Sequence, residues 1–275
     1  MSNLLTAPVL IRKEGDAGRS TPAAFSGGAI IGALGGLIGL GGAEFRLRLL
    51  ISTFRFGALQ AVILKAMSLV VVASALPFRA TAVPFISVAA HWPIIVNLLA
   101  GSLLGAWFGA SWATRLASQT LHRVIAGLLL GIAVVLALGH DAAATGAMLT
   151  GSAQMVAGVT AGFIIGIVAA LLGVAGGELL IPTLVLLFGA DIKLAGSLSL
   201  AVSLPTMLVG FAHYSRDRSF LVLAENRRFM LVMAAGSIFG SFIGGRLLGL
   251  VPNAVLLPLL AIILVLSAVK VWRHG

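Results

Sequence analysis

The chain has 275 residues, of which 60% are hydrophobic and only 9% charged. Soluble domains carry roughly a quarter charged residues, so a soluble globular fold is excluded. There is no cysteine, which rules out disulfides, thiolate metal sites and cysteine nucleophiles. The formal net charge is +10, but the basic residues sit mostly between and beside apolar runs. Anionic lipid headgroups and membrane topology account for most of them there, and no nucleic-acid partner is expected. Part of the excess could help draw in an anionic substrate.

Taken in order, Met1 to Thr21 is too polar for a signal peptide, with Arg12, Lys13, Glu14, Asp16 and Arg19 in it. Residues 1–23 read as an aqueous tail. Several apolar stretches of about 20 residues follow, each able to cross a hydrocarbon core of about 30 Å. They are continuous rather than alternating, which excludes a β-barrel. The expectation is an all-α polytopic membrane protein, with about eight transmembrane helices in two homologous four-helix halves. Residues 24–139 form the first half, 140–152 a connector and 153–275 the second half. The first apolar run spans about 24 to 54. A helix over about 58 to 77 stops at Pro77. Further helices are expected over about 94 to 117 and 122 to 139. In the second half the runs are about 153 to 188, 194 to 214, 229 to 249 and 253 to 272.

The organising stretch occurs twice. Gly32 to Glu44 reads GALGGLIGLGGAE and Gly166 to Glu178 reads GIVAALLGVAGGE, 134 residues apart. A second pair, Gly101 to Gly109 and Gly236 to Gly244, is 135 apart, so two copies share one frame. Its small residues four apart suit close helix packing. In the first pair the glycine clusters predict an interruption of the helix. Matching interruptions in two halves of a membrane protein are the best sequence pointer to a transporter's binding site. A half-helix that starts mid-bilayer offers free N–H groups and the positive end of its dipole. Such an end suits an oxyanion. Bared backbone is tolerated there only where it lines a cavity. If each broken run crosses, the halves are parallel; if each re-enters, they are inverted. Periodicity leaves that open.

The candidate substrate-binding residues are therefore Gly41, Gly42 and Ala43 at the first break, and Gly176 and Gly177 at the second. Glu44 and Glu178 each fall in the first turn after a break. They cap their own helices, couple anion movement to protons, or form a cation site. Arg46 is a candidate to balance charge at the pore, whereas Arg48 projects about 200° away on a helix and suits an interface. Lys65 either snorkels to the interface, pairs with Glu44 or faces the anion. Ser197 and Ser199, near a helix start, are candidate path-lining groups. No metal site, cofactor or catalytic residue is expected. H-E-x-x-H, the G-x-x-x-x-G-K-[ST] loop and G-x-S-x-G are all missing from the sequence, so the chain is read as a non-enzyme.

At Gly36 to Leu47 (GLIGLGGAEFRL) and Ala170 to Pro182 (ALLGVAGGELLIP) the chain resembles the TauE/SafE family of sulfite exporters and sulfonate permeases. The resemblance covers nearly the whole length. One departure is that Arg48 stands in the first half where the family pattern places a proline, as Pro182 does in the second. The resemblance implies a secondary transporter of small sulfur or organosulfur oxyanions in a bacterial inner membrane. Sulfite, sulfoacetate and related sulfonates are the substrates it suggests, with the glycine clusters as their contact. The partners expected are the anion and the bilayer, a homodimer being compatible with the chain, and both termini are expected in the cytoplasm. Two other readings use the same residues: a passive anion channel, or a cation or metal-ion carrier built on the two glutamates.

Overall fold

The computed structural model describes residues 21–42, 46, 61–112, 130, 149–172, 176–214 and 227–274. Nine helices are bounded among the described residues: α1 (Thr21–Ile38), α2 (Ala61–Arg79), the short α3 (Phe85–Ala90), α4 (Trp92–Trp112), α5 (Gly151–Leu172), α6 (Gly177–Phe188), α7 (Ile192–Tyr214), α8 (Arg227–Leu250) and α9 (Asn253–His274). No strand occurs among the described residues. Five of the helices hold stretches long and apolar enough to cross a membrane: Thr21–Ile38, Trp92–Gly109, Gly151–Ala170, Ile192–Val209 and Arg227–Leu250. Shorter apolar stretches lie in α2, α6 and α9. The helix expected over about 122 to 139 falls almost entirely outside the described residues, as does most of the charged loop from Arg216.

The polarity is that of a bilayer protein. Ile30, Trp107, Phe239 and Leu266 are more than half exposed, while Ser68, Ser199, Ser237 and Ser241 are fully buried. Large apolar side chains face outward where lipid can cover them, and hydroxyls turn inward to find partners.

Helix directions follow from named contacts. Along α1 and α8, Gly28, Gly32 and Gly36 lie against the backbone of Met233, Ser237 and Ser241, in rising order along both chains. Those two helices run parallel, so close that a methyl group on Gly32 would overlap the Ser237 carbonyl. On α2, Ser74 donates to Ser241 at 3.2 Å, and a Cβ on Gly245 would stand 2.7 Å from the Phe78 carbonyl oxygen. α2 is therefore parallel to both. On the other side Gly101, Gly105 and Gly109 of α4 lie against Val159, Phe163 and Ile167 of α5, a second parallel pair. α7 joins this pair through the Ser102–Thr206 hydroxyl bond, 2.9 Å. Asp191, just ahead of α7, accepts a hydrogen bond from Asn253, just past the end of α8. So α7 begins where α8 ends, and α4 begins near the end of α2 after a short connection. The result is two three-helix groups, α1–α2–α8 and α4–α5–α7, pointing in opposite directions.

Two boundaries differ from expectation for clear reasons. α2 runs two residues past Pro77, because a proline breaks the bond to the residue four before it rather than the turn ahead. The helix expected from about 94 starts at Trp92: Pro93 is its second residue, a first-turn position where its missing N–H costs nothing.

Candidate functional site

Both glycine clusters interrupt their helices. α1 ends at Ile38, and Gly39 and Gly42 follow with φ of 95° and 65°. α5 ends at Leu172, and Gly176 opens α6 with φ of 70°. These positive values lie in the left-handed region, which costs side-chain-bearing residues about 1 kcal/mol or more. The turns have the same inner contact. A Cβ on Gly42 would run into the Ile31 side chain, and one on Gly176 would stand 3.2 Å from the Ile165 side chain.

Beyond the second turn the chain doubles back. Gln154 near the start of α5 donates its side-chain amide to the Leu187 carbonyl at the end of α6, 2.9 Å. A Cβ on Gly158 would stand 2.7 Å from the Phe188 ring. α6 therefore returns along α5 and re-enters, rather than continuing the crossing. With 12 residues it is about 18 Å long, roughly half a bilayer core.

The start of α6 faces the first break. A Cβ on Gly177 would stand 3.3 Å from the Gly39 carbonyl oxygen and 3.5 Å from the Leu40 Cα. Leu179 and Leu180 donate to the Gly176 carbonyl at 3.1 and 2.9 Å, and the cap makes no side-chain hydrogen bond. The Gly177 N–H is thus one of the groups a helix start leaves for an outside acceptor. Glu178 lies in this first turn, 7% exposed, and is engaged by an interaction of its own. Pro182 removes the N–H that would otherwise bond the Glu178 carbonyl.

Arg46 follows the first break and is fully buried. Its peptide N–H donates to the Gly42 carbonyl at 3.1 Å. Its guanidinium donates to Ser68 Oγ and Ser237 Oγ, both at 3.3 Å, while Nε has no hydrogen-bond partner. Gly41 and Gly42 are buried. Ala43, Glu44 and Arg48, and the side chain of Lys65 on α2, lie outside what is described.

Ser197 and Ser199 are buried on α7, and both face the end of α1. Ser199 Oγ donates to the Gly39 carbonyl at 2.9 Å and is 3.0 Å from the Gly196 carbonyl. Ser197 Oγ lies 3.3 Å from the Lys193 carbonyl and accepts from Arg79. Arg79 is the residue that sequence reasoning passed over. It is fully buried at the end of α2. Its Nε donates to Ser197 Oγ at 3.0 Å, one Nη to the Gly36 and Leu37 carbonyls at 2.8 and 2.9 Å, and the other Nη to the Lys193 carbonyl at 2.7 Å. It thus ties the C-terminal end of α1 to the start of α7, across the two helix groups. The only sequence signal was an arginine just past Pro77, and its partners are mostly backbone carbonyls, which leave no mark in a sequence.

No group of three or more histidine or acidic side chains close enough to hold a metal ion is found among the described residues. At the first helix end the Gly36, Leu37 and Gly39 carbonyls are taken by Arg79 and Ser199.

The family described as Sulfite exporter TauE/SafE matches residues 24–271. Comparison with curated proteins and with solved structures finds no match. The chain belongs to the TauE/SafE family, whose members are membrane transporters of sulfur anions and not enzymes.

Proposed function

We propose that this protein is a permease for a small sulfur oxyanion, such as sulfite, sulfoacetate or a related sulfonate, in a bacterial inner membrane. The substrate would rest where the two glycine breaks meet. The observation that carries this is the approach of Gly177 to Gly39 and Leu40. It brings the N-terminus of a half-length helix against the other break, inside a protein with little water to compete. Gly41, Gly42, Gly176 and Gly177 would shape the backbone, with Arg46 supplying charge. Ser197 and Ser199 would hold the first break in place from α7. Glu44 and Glu178 would cap or couple.

The architecture supports alternating access. In the shared frame α1 corresponds to α5, α2 to α7 and α4 to α8, and each pair runs in opposite directions. The contacts correspond as well: Gly32 meets Ser237, while Gly166 meets Ser102. This favours two halves related by inversion, each lending one helix to the other's group. Inverted halves can exchange conformations and so open one site to either face in turn. α1 and the parallel α8, whose first residues are Arg227 and Arg228, start on one face. By the positive-inside tendency that face would be cytoplasmic.

A cation carrier is disfavoured by one observation. The α1 carbonyl end, the natural cation seat at the break, is already bound by Arg79 and Ser199. A passive channel would use the same anion seat but could not concentrate its solute. In liposomes, purified protein should take up labelled sulfite, and an imposed pH gradient should drive it uphill. Gly176→Leu, forced into φ of 70° beside Ile165, should reduce uptake by about a hundredfold or more. Sulfite uptake by that variant at the native rate would remove the break from the transport site.

A further inference from the structure

We infer that Arg46, with the hydroxyls of Ser68 and Ser237, is the seat for the SO3 head of the transported anion, and that the free Nε edge of its guanidinium is the contact. This rests on the permease reading above and adds which group binds and which head group it selects.

The surroundings of Arg46 are unusual for a buried arginine. The side chain is fully enclosed, yet the partners described for it are two neutral hydroxyls at 3.3 Å, and Nε donates to nothing. Removing a charge from water costs several kcal/mol unless an opposite charge and full hydrogen bonding offset it. Neutral hydroxyls do not supply that charge. An arriving anion would.

The other half shows that the scaffold does not need a guanidinium here. In the frame of 134 residues, Arg46 corresponds to Leu180 and Ser68 to Val202, both buried. The turns ahead of Arg46 and Leu180 have the same geometry, with φ of 65° at Gly42 and 70° at Gly176 and with Ile31 and Ile165 packed against them. Ser237 corresponds to Ser102, which bonds Thr206 instead. One half therefore closes this position with aliphatic side chains, while the other places an arginine with an unused donor.

The donor geometry selects the head group. Nε and the adjacent Nη point two parallel N–H bonds at a pair of oxygens on one central atom. A halide has no such pair. Ser68 and Ser237 each accept from Arg46, and a hydroxyl that accepts can donate its own O–H as well. A third oxygen, out of the fork's plane, can take that bond. Sulfite and sulfonates have three oxygens arranged this way; a carboxylate has two.

Three variants in liposomes, with sulfite, methanesulfonate and acetate as probes, test this. Arg46→Leu copies the other half and should fold with an unliganded Tm no lower than the native protein. It should lose both the sulfite-induced rise in Tm and sulfite uptake. Arg46→Lys keeps the charge without the fork, and its sulfite KM should rise about tenfold or more. Ser68→Ala with Ser237→Ala should erase the preference for methanesulfonate over acetate. Sulfite transport by Arg46→Leu with a KM within about twofold of native would overturn the inference. If that variant fails to fold, the serine pair decides: an unchanged preference overturns the inference, and a lost preference upholds it. Failure of the native protein to move any of the three anions would instead defeat the permease reading.

Discussion

At the scale of single residues, two arginines are equally buried and differ in what holds them. Every nitrogen of Arg79 donates: four acceptors, three of them backbone carbonyls, receive its N–H groups. Arg46 has neutral partners and an idle Nε. The first pattern is that of a structural staple. Arg79→Ala would strand carbonyls at the end of α1, each such loss costing about 1–3 kcal/mol. The variant should therefore show a Tm lowered by several degrees or more and should aggregate on heating, while Arg79→Lys should recover part of the loss. A native Tm for Arg79→Ala would show that water or other groups replace the staple. Arg46 could be picked out in the sequence because it follows a break. Arg79 could not, since an isolated basic residue past a proline reads equally well as a group reaching for the membrane surface.

At the scale of helices, the small-residue motifs do what their spacing implied. Gly101, Gly105 and Gly109, and Gly236, Gly240 and Gly244, each lie against a carbonyl or Cα of the facing helix. Without a hydrophobic force between helices in lipid, that closeness is the source of attraction. It predicts a contrast within α8. Gly240→Ala would drive a methyl into the Ala29 carbonyl and should destabilise by about 1–3 kcal/mol. Gly249, with nothing within 4 Å, should accept alanine neutrally or gain up to about 1 kcal/mol from helix propensity. Thermal unfolding in detergent compares the two, and equal effects would contradict the packing account. What the helices concealed in sequence was direction. Residues 177–188 are as apolar whether they continue the crossing or return. Only the contacts of Gln154 and Gly158 with Leu187 and Phe188 distinguish the two.

At the scale of the whole molecule, two oppositely directed groups of helices meet at a pair of glycine turns. The second turn opens the half-length helix α6 at Gly177, and Arg46 follows the first turn with its guanidinium on Ser68 and Ser237. The frame shared by the two glycine motifs was readable because a left-handed turn needs glycine and leaves it at fixed intervals. The asymmetry was readable too, in Arg46 opposite Leu180, but its meaning depends on knowing that both are buried. Most of the polar network that joins the groups runs through backbone atoms and has no sequence signature.

The central claim is that an oxyanion rests between the two turns, and selenite offers a direct view of it, since it has the shape of sulfite and a strong anomalous signal. Crystals of the native protein grown with selenite should give an anomalous peak between the two turns, and none there in Arg46→Leu. A protein that transports selenite but binds it elsewhere, with no peak between Gly39–Gly42 and Gly176–Gly177, would contradict the account.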